Sequence, residues 1–105
     1  MVYLKNNKVI GYILGIKVMD EYHLNNIAVH KKFQCQHIGT LLIKNLIERL
    51  LAQNINCVYL EVSEKNYSAI NLYKNFGFKF FYKRNNYYAK DEHAFVFNLD
   101  LENYG

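Results

Sequence analysis

The sequence predicts a sheet with helices packed against it, an α/β or α+β fold. Three observations support this: short apolar runs that alternate with polar residues, an amphipathic stretch over residues 38–53, and a second helix-like stretch over residues 66–76. Together they give the element order β-β-β-α-β-α-β-β. With 105 residues, 51% of them hydrophobic, the chain is predicted to form one domain, residues 1–105, with a single modest core.

Three strands are predicted in the first part of the chain. Residues 2–4 and 9–18 flank two asparagines, Asn6 and Asn7, which tolerate left-handed turn conformations, so the two strands are predicted to form a hairpin. Residues 22–29 are predicted as the third strand. Within it the poor strand formers at 25–26 predict a bulge or an exposed backbone edge.

The best helix is predicted over residues 38–53, and a strand follows at 58–62. Apolar residues recur along the helix at helical spacing, at Ile38, Leu41, Leu42, Leu46, Leu50 and Leu51. In the strand, Val58, Leu60 and Val62 share one face. Tyr59, Glu61 and Ser63 therefore share the other.

A second helix, two strands and a loop are predicted in the last part of the chain. The helix covers residues 66–76, and Gly77 is well placed as its C-terminal stop. The strands are predicted at 78–82 and 94–101. Between them, residues 83–93 are predicted to form an ordered functional loop.

The net charge and the two cysteines exclude few classes of function. The formal net charge of +4 suits an anionic ligand or a partner such as ribosomal RNA, but it demands neither. Cys35 and Cys57 fit no metal or redox spacing and are predicted to be reduced thiols in a cytosolic protein. The N-terminus lacks the apolar core of a signal peptide, and no apolar run is long enough to span a bilayer.

A metal site is not expected. His23, His30 and His37 are evenly spaced, but they fall on a strand, a strand end and a loop. No cysteine or carboxylate stands at zinc spacing from them. Cys35 has no base paired with it as a nucleophile would need.

Three groups are candidates for chemistry. Residues 34–40 open the first helix directly after a strand, and the backbone N–H groups of a helix N-terminus can hold a phosphate. The alternative is an ordinary helix N-terminus without a ligand. Glu61 is a candidate base, or else a surface glutamate on the polar face of its strand. Tyr73 is a candidate acid, or else a core tyrosine; it lies two helical turns after Asn66, so both should face the same way.

The motifs in this order resemble the GNAT acetyltransferase superfamily. They are residues 26–29, 34–40, 60–62, Asn66, 69–70, 72–73 and 77–78. Residues 84–88, Arg-Asn-Asn-Tyr-Tyr, resemble a loop of one group in it, the bacterial ribosomal-protein alanine N-acetyltransferase (RimI) group. The resemblance covers residues 2–101 and implies a mixed, mostly antiparallel sheet, without the first strand and the first two helices that are usual in the family.

The resemblance also implies a cosubstrate, acetyl-CoA, and a role for each motif. The residues that would contact the pyrophosphate are Cys35, Gln36, His37, Ile38, Gly39 and Thr40. Ile27, Ala28 and Val29 would pair through their backbone with the pantetheine arm, and Asn66 would contact the cofactor. Glu61 would deprotonate the amine, and Tyr73 would protonate the departing thiolate. Gly39 lets the backbone approach the phosphate closely.

One residue departs from the family motif, because His37 stands where a glycine is usual. If this position requires a positive φ, histidine is tolerated there but strained. Its imidazole could donate to a phosphate, or it could crowd the site.

The resemblance implies an N-acetyltransferase that transfers acetyl directly to an N-terminal α-amine, with the N-terminal alanine of a ribosomal protein as acceptor. The expected location is the cytoplasm, without a membrane or direct nucleic-acid partner. The first alternative is a catalytically impaired CoA-binding or ribosome-associated module. The second is a small basic RNA-binding domain, although no such signature is visible. A missing first strand would expose a sheet edge, so a homodimer formed through that edge is a further hypothesis.

Overall fold

The computed structural model describes residues 2–5, 7–30, 37–89, 92–102 and 104. The elements in chain order are β1 (Val2–Lys5), β2 (Lys8–Val18), β3 (Glu21–Val29), α1 (Ile38–Ala52), β4 (Cys57–Ser63), α2 (Tyr67–Asn75), β5 (Lys79–Ala89) and β6 (Glu92–Asp100). This is the predicted order. The strands form one six-stranded sheet in the order β1-β2-β3-β4-β6-β5.

The sheet is mixed and mostly antiparallel, as predicted. The antiparallel pairs are β1–β2, β2–β3, β4–β6 and β5–β6. The parallel pair, β3–β4, is connected through α1, because a parallel partner can be reached only by a crossover. The parallel pair divides the sheet into two antiparallel halves.

The two central strands diverge at Asn25. Strands β3 and β4 pair only from Glu21 to Leu24, against Cys57 to Leu60, although both strands continue further. In the β2–β3 ladder, Leu14 pairs with Asn26 and Gly15 with Leu24, so Asn25 is an extra residue. The bulge predicted at 25–26 is therefore confirmed. It lies where the sheet opens.

Both helices pack on the same face of the sheet. Gly39 of α1 approaches α2 so closely that a Cβ there would lie 3.2 Å from Leu72 Cδ2. Gly11 of β2 lies under α1, where a Cβ would lie 3.1 Å from Leu42 Cδ1. The deepest core side chains come from strands and helix alike: Ile13, Leu42, Ile43, Val58 and Phe97.

The other sheet face carries exposed apolar side chains on β2. Leu14, Ile16 and Val18 are two residues apart, so they share this face, and each is about half exposed. Neither α1 nor α2, the helices in the described part of the chain, is long and apolar enough to cross a membrane.

The ends of α2 follow the sequence signals. Asn66 is its N-cap, and its Oδ1 accepts a hydrogen bond from the Ala69 N–H at 3.2 Å. Gly77 follows the C-cap with φ 94°, a left-handed conformation that glycine adopts without strain. The predicted helix stop at Gly77 is confirmed.

The prediction of a loop at residues 83–93 is wrong, because the described residues in this range belong to two strands. Strand β5 continues to Ala89, and β6 begins at Glu92. The register jumps between Arg84, opposite Ala94, and Ala89, opposite Glu92. The poor strand formers at 85–86 interrupt the antiparallel ladder, and the ladder resumes beyond them. The intervening residues of β5 therefore form a bulge within a long hairpin. Residues 90–91 lie outside the described residues.

Candidate functional site

Two cavities meet where the sheet opens. A cavity of about 370 Å³ is lined by Ile27 of β3 and by Asn66, Ala69 and Tyr73 from the start and body of α2. A cavity of about 540 Å³ is lined by Glu21, His23, Tyr59 and Phe81, among others. Leu24, Asn25 and Glu61 line both cavities. Glu61 is therefore the carboxylate that the two cavities share.

The strand pattern explains how Glu61 comes to this position. In β4, buried residues alternate with partly buried ones from Cys57 to Ser63. Val58, Leu60 and Val62 form part of the core. Glu61 therefore lies on the opposite face with Tyr59, as the period of two predicted.

The Glu61 carboxylate is held by a residue that the sequence interpretation did not assign to the site. Arg84 Nη1 of β5 donates to Glu61 Oε1 at 2.6 Å. The other oxygen, Oε2, is buried and has no hydrogen-bond partner among the described residues. The only signal for Arg84 was its place in the Arg-Asn-Asn-Tyr-Tyr segment. Its partner could not be inferred from that segment.

Tyr73 is a core residue that also reaches the smaller cavity. It is 4% exposed, and its ring lies 5.6 Å from that of Phe78. Asn66 lines the same cavity, so the expectation that the two residues face the same way is confirmed. The interpretation of Tyr73 as a core tyrosine fits its burial, and its role as an acid stays a prediction.

The N-terminus of α1 has no side-chain cap from its N-cap residue. His37 is the N-cap, with φ 60° and ψ 21°, and it makes no side-chain capping hydrogen bond. This φ is positive, so the histidine is in the conformation that it tolerates only with strain. The first turn has no acidic residue, and the first N–H groups of a helix have no partner within it. These groups belong to Ile38, Gly39 and Thr40. Cys35 and Gln36 lie outside the described residues.

Packing accounts for Gly39 in a way that the sequence did not indicate. Its missing Cβ faces Leu72, so glycine is what lets α2 lie close to the start of α1. The side chain of Ile38 is buried in the core. A contact between these two residues and a ligand would therefore come from their backbone.

The larger cavity has a row of aromatic rings along its wall. Ring centroids are 5.4 Å apart for His23 and Tyr59, 6.1 Å for Tyr59 and Phe81, and 5.3 Å for Phe81 and Tyr82. Glu21 Oε1 lies 3.2 Å from His23 Nε2 at one end of the row. The sequence interpretation missed this row, although the alternation of β4 puts Tyr59 beside Glu61.

Two groups near this cavity are held in their neutral forms. A hydrogen bond with Cys57 is the main cause that raises the pKa of Tyr59. Burial is the main cause that raises the pKa of the Cys57 thiol, with Glu21 and Asp100 adding to it. In the described part of the chain, no group of three or more His, Cys, Asp or Glu residues is placed to hold a metal ion.

Residues 1–78 match the Acetyltransferase (GNAT) family. The chain belongs to this family, as its motifs predicted. A ribosomal protein bS18-alanine N-acetyltransferase of Haemophilus influenzae is 39% identical over 87 residues, which cover 83% of this chain. The match covers 59% of that protein, so this chain spans less than two thirds of its length.

Solved structures agree with the family. The ribosomal-protein-S18-alanine N-acetyltransferase from Escherichia coli gives a TM-score of 0.91 at 33% identity, over 97% of this chain and 68% of that chain. A GNAT family acetyltransferase from Elizabethkingia anophelis with acetyl-CoA bound gives 0.86 at 20% identity, over 94% of this chain and 73% of that chain. The first match agrees with the predicted RimI-like resemblance; the second concerns the fold alone.

Proposed function

We propose that this chain is an acetyl-CoA-dependent N-acetyltransferase that acts on an N-terminal α-amine. The acceptor we propose is the N-terminal alanine of a ribosomal protein, as the name of the Haemophilus influenzae relative suggests. The observation that carries the proposal is the position of Glu61. It lines both cavities at the opening of the sheet, one cavity for each substrate.

Acetyl-CoA would occupy the smaller cavity and the N-terminus of α1. The N-terminal N–H groups of α1, without a competing side-chain cap, would bind the pyrophosphate. Ile27, Ala28 and Val29 would pair with the pantetheine arm where β3 has left β4. Asn66 would contribute from the cavity wall, with its Oδ1 already engaged in capping α2. A protein with this fold has been solved with acetyl-CoA bound.

The proposed transfer is direct. The amine nitrogen forms a bond to the thioester carbonyl carbon, Glu61 takes the amine proton directly or through a water, and the C–S bond breaks. Tyr73 gives its phenolic proton to the CoA thiolate, and backbone N–H groups near Val29 polarise the carbonyl. An α-amine has a pKa of about 7.7–8.0, so a modest base is enough.

Thiol release from acetyl-CoA with an N-terminal Ala peptide tests the two roles. Glu61→Gln and Tyr73→Phe should each lower kcat by about 10²–10⁴-fold, the usual contribution of a general acid or base. Glu64→Gln and Tyr67→Phe are matched controls close by in the chain; Tyr67 is 73% exposed. Unchanged turnover in both site variants would remove Glu61 and Tyr73 as catalytic residues.

A catalytically impaired CoA-binding or ribosome-associated module is the second candidate. The observation that favours it is His37, which has φ 60° at the position where the family motif has a glycine. Calorimetry with acetyl-CoA, followed by the thiol assay, separates the two candidates. Binding without thiol release would support the module, whereas turnover above the uncatalysed rate would exclude it.

Three further properties belong to the same proposal. We treat residues 1–105 as one domain, because the described strands form one sheet over one core. The proposed location is the cytoplasm, where ribosomal proteins are made, and no direct nucleic-acid contact is proposed. A homodimer is proposed through edge strand β1 and the apolar face of β2, where Leu14, Ile16 and Val18 are exposed. A strictly monomeric sedimentation profile at high concentration would contradict the dimer.

A further inference from the structure

We infer that Arg84 is a positioning residue that fixes which oxygen of Glu61 receives the proton. The inference rests on the proposed function. Arg84 Nη1 occupies Oε1 at 2.6 Å, whereas Oε2 is buried and has no partner among the described residues. Oε1 is therefore held in place by Arg84, and Oε2 is left to accept the amine proton.

The sheet explains how Arg84 reaches Glu61. Arg84 of β5 pairs with Ala94 of β6, and Ala94 pairs with Ser63 of β4. These three residues therefore share one sheet face, and Glu61 lies on that face two residues before Ser63. Two strand spacings, roughly 9–10 Å, separate β5 from β4. The β6 residue beside Arg84 is the small Ala94, so a long side chain can pass it and reach diagonally to Glu61, which itself pairs with Val96.

The unpartnered oxygen needs an explanation, because buried polar atoms in native proteins almost always have a partner. Glu61 lines both cavities, so a donor entering from either one meets its side chain and has to displace the neighbouring groups that bury Oε2 in this structure. The acceptor amine, or a water held by it, supplies such a donor. The orphan Oε2 is then the position that the acceptor N–H completes.

In the proposed reaction the proton passes from the amine nitrogen to Glu61 Oε2 as the N–C bond forms. Arg84 exchanges no proton in this step, because its guanidinium remains charged at any accessible pH. Its effect is to restrict the rotation of the carboxylate. Without Arg84, both oxygens are free to turn away from the amine, so the loss should appear in kcat.

The test compares Arg84→Ala, Arg84→Lys and a matched control, Lys83→Ala. Lys83 is the next residue of β5, so its side chain lies on the opposite sheet face and its loss removes the same charge. We expect Arg84→Ala to lower kcat by up to about 100-fold, with KM for acetyl-CoA within twofold of wild type. Arg84→Lys should recover part of the loss, and Lys83→Ala should match wild type.

Chemical rescue separates positioning from a merely structural role. Guanidinium chloride at a non-denaturing concentration should raise kcat of Arg84→Ala but not of Glu61→Gln. Equal kcat in wild type and Arg84→Ala, or equal losses in Arg84→Ala and Lys83→Ala, would overturn the inference. So would a loss in a folded Arg84→Ala that neither guanidinium nor lysine restores. A wild-type chain that releases no thiol would overturn the proposed function first, and a result of that kind is distinct from an Arg84 effect.

Discussion

Gly11 of β2 lies close to α1 and to the backbone of β3, beside the proposed acetyl-CoA site. Gly11→Ala tests whether this close packing contributes to stability and to acetyl-CoA binding. A Cβ at this position would lie 3.1 Å from Leu42 Cδ1, 3.2 Å from Ile38 Cγ2 and 3.2 Å from the Ala28 carbonyl oxygen. All three distances are shorter than an ordinary van der Waals contact. The first two atoms belong to α1, and the third is backbone of β3. The methyl group would therefore push the start of α1 away from β3.

The change in the free energy of unfolding of Gly11→Ala is the sum of two opposing effects. Overpacking a well-filled core costs about 1–3 kcal/mol, whereas replacing glycine in a strand returns about 0.5–1 kcal/mol. The free energy of unfolding should fall by about 1–2 kcal/mol, which lowers Tm by roughly 5–10 °C in a chain of this size. Acetyl-CoA should also bind more weakly, because Ile38 and Ala28 are both in the proposed site.

Urea unfolding gives the change in stability, and calorimetry with acetyl-CoA gives the change in affinity. Lys17→Ala is the control on the same strand, since Lys17 is exposed and its truncation should change stability by less than about 0.5 kcal/mol. If Gly11→Ala is as stable as wild type and binds acetyl-CoA equally well, the close contact among β2, β3 and α1 is refuted.

Two further outcomes follow from local features. Asn66→Ala removes the cap of α2 and should lower the free energy of unfolding by about 1 kcal/mol, as measured by urea unfolding; an unchanged midpoint would contradict the capping role. Burial raises the pKa of Tyr22 above its ordinary 10.0, so its contribution to stability is complete below pH 10.0 and is lost as pH rises through the folded-state pKa. Tyr22→Phe should therefore flatten the alkaline fall in Tm, and an unaltered fall would contradict the burial argument.

The parts of the structure that depend on local patterns were predictable. The alternation of β4 and the spacing of α2 placed Glu61 on the polar strand face and Asn66 beside the same cavity as Tyr73. The Asn pair predicted a bulge or an exposed backbone edge in β3, and the structure has the bulge. Each of these depends on residues close together in the chain.

The parts that depend on strand order were not predictable. Arg84 meets Glu61 only because β6 lies between β5 and β4 and places the small Ala94 opposite Arg84. The sequence predicts a loop where the structure has the long β5–β6 hairpin, because two asparagines interrupt the strand pattern and the pairing that resumes beyond them depends on β6. The packing of Gly39 against Leu72 was not predictable either, because Leu72 is on another helix.

The short parallel pairing of β3 with β4 has a mechanical consequence. Four residue pairs join the two antiparallel halves of the sheet, and the gap begins directly after them. A molecule lying between Ile27 and Val62 would contact both halves and add contacts that hold them together. Ligand occupancy and the cohesion of the whole sheet are then thermodynamically linked, because a ligand that binds only the joined halves favours them by mass action.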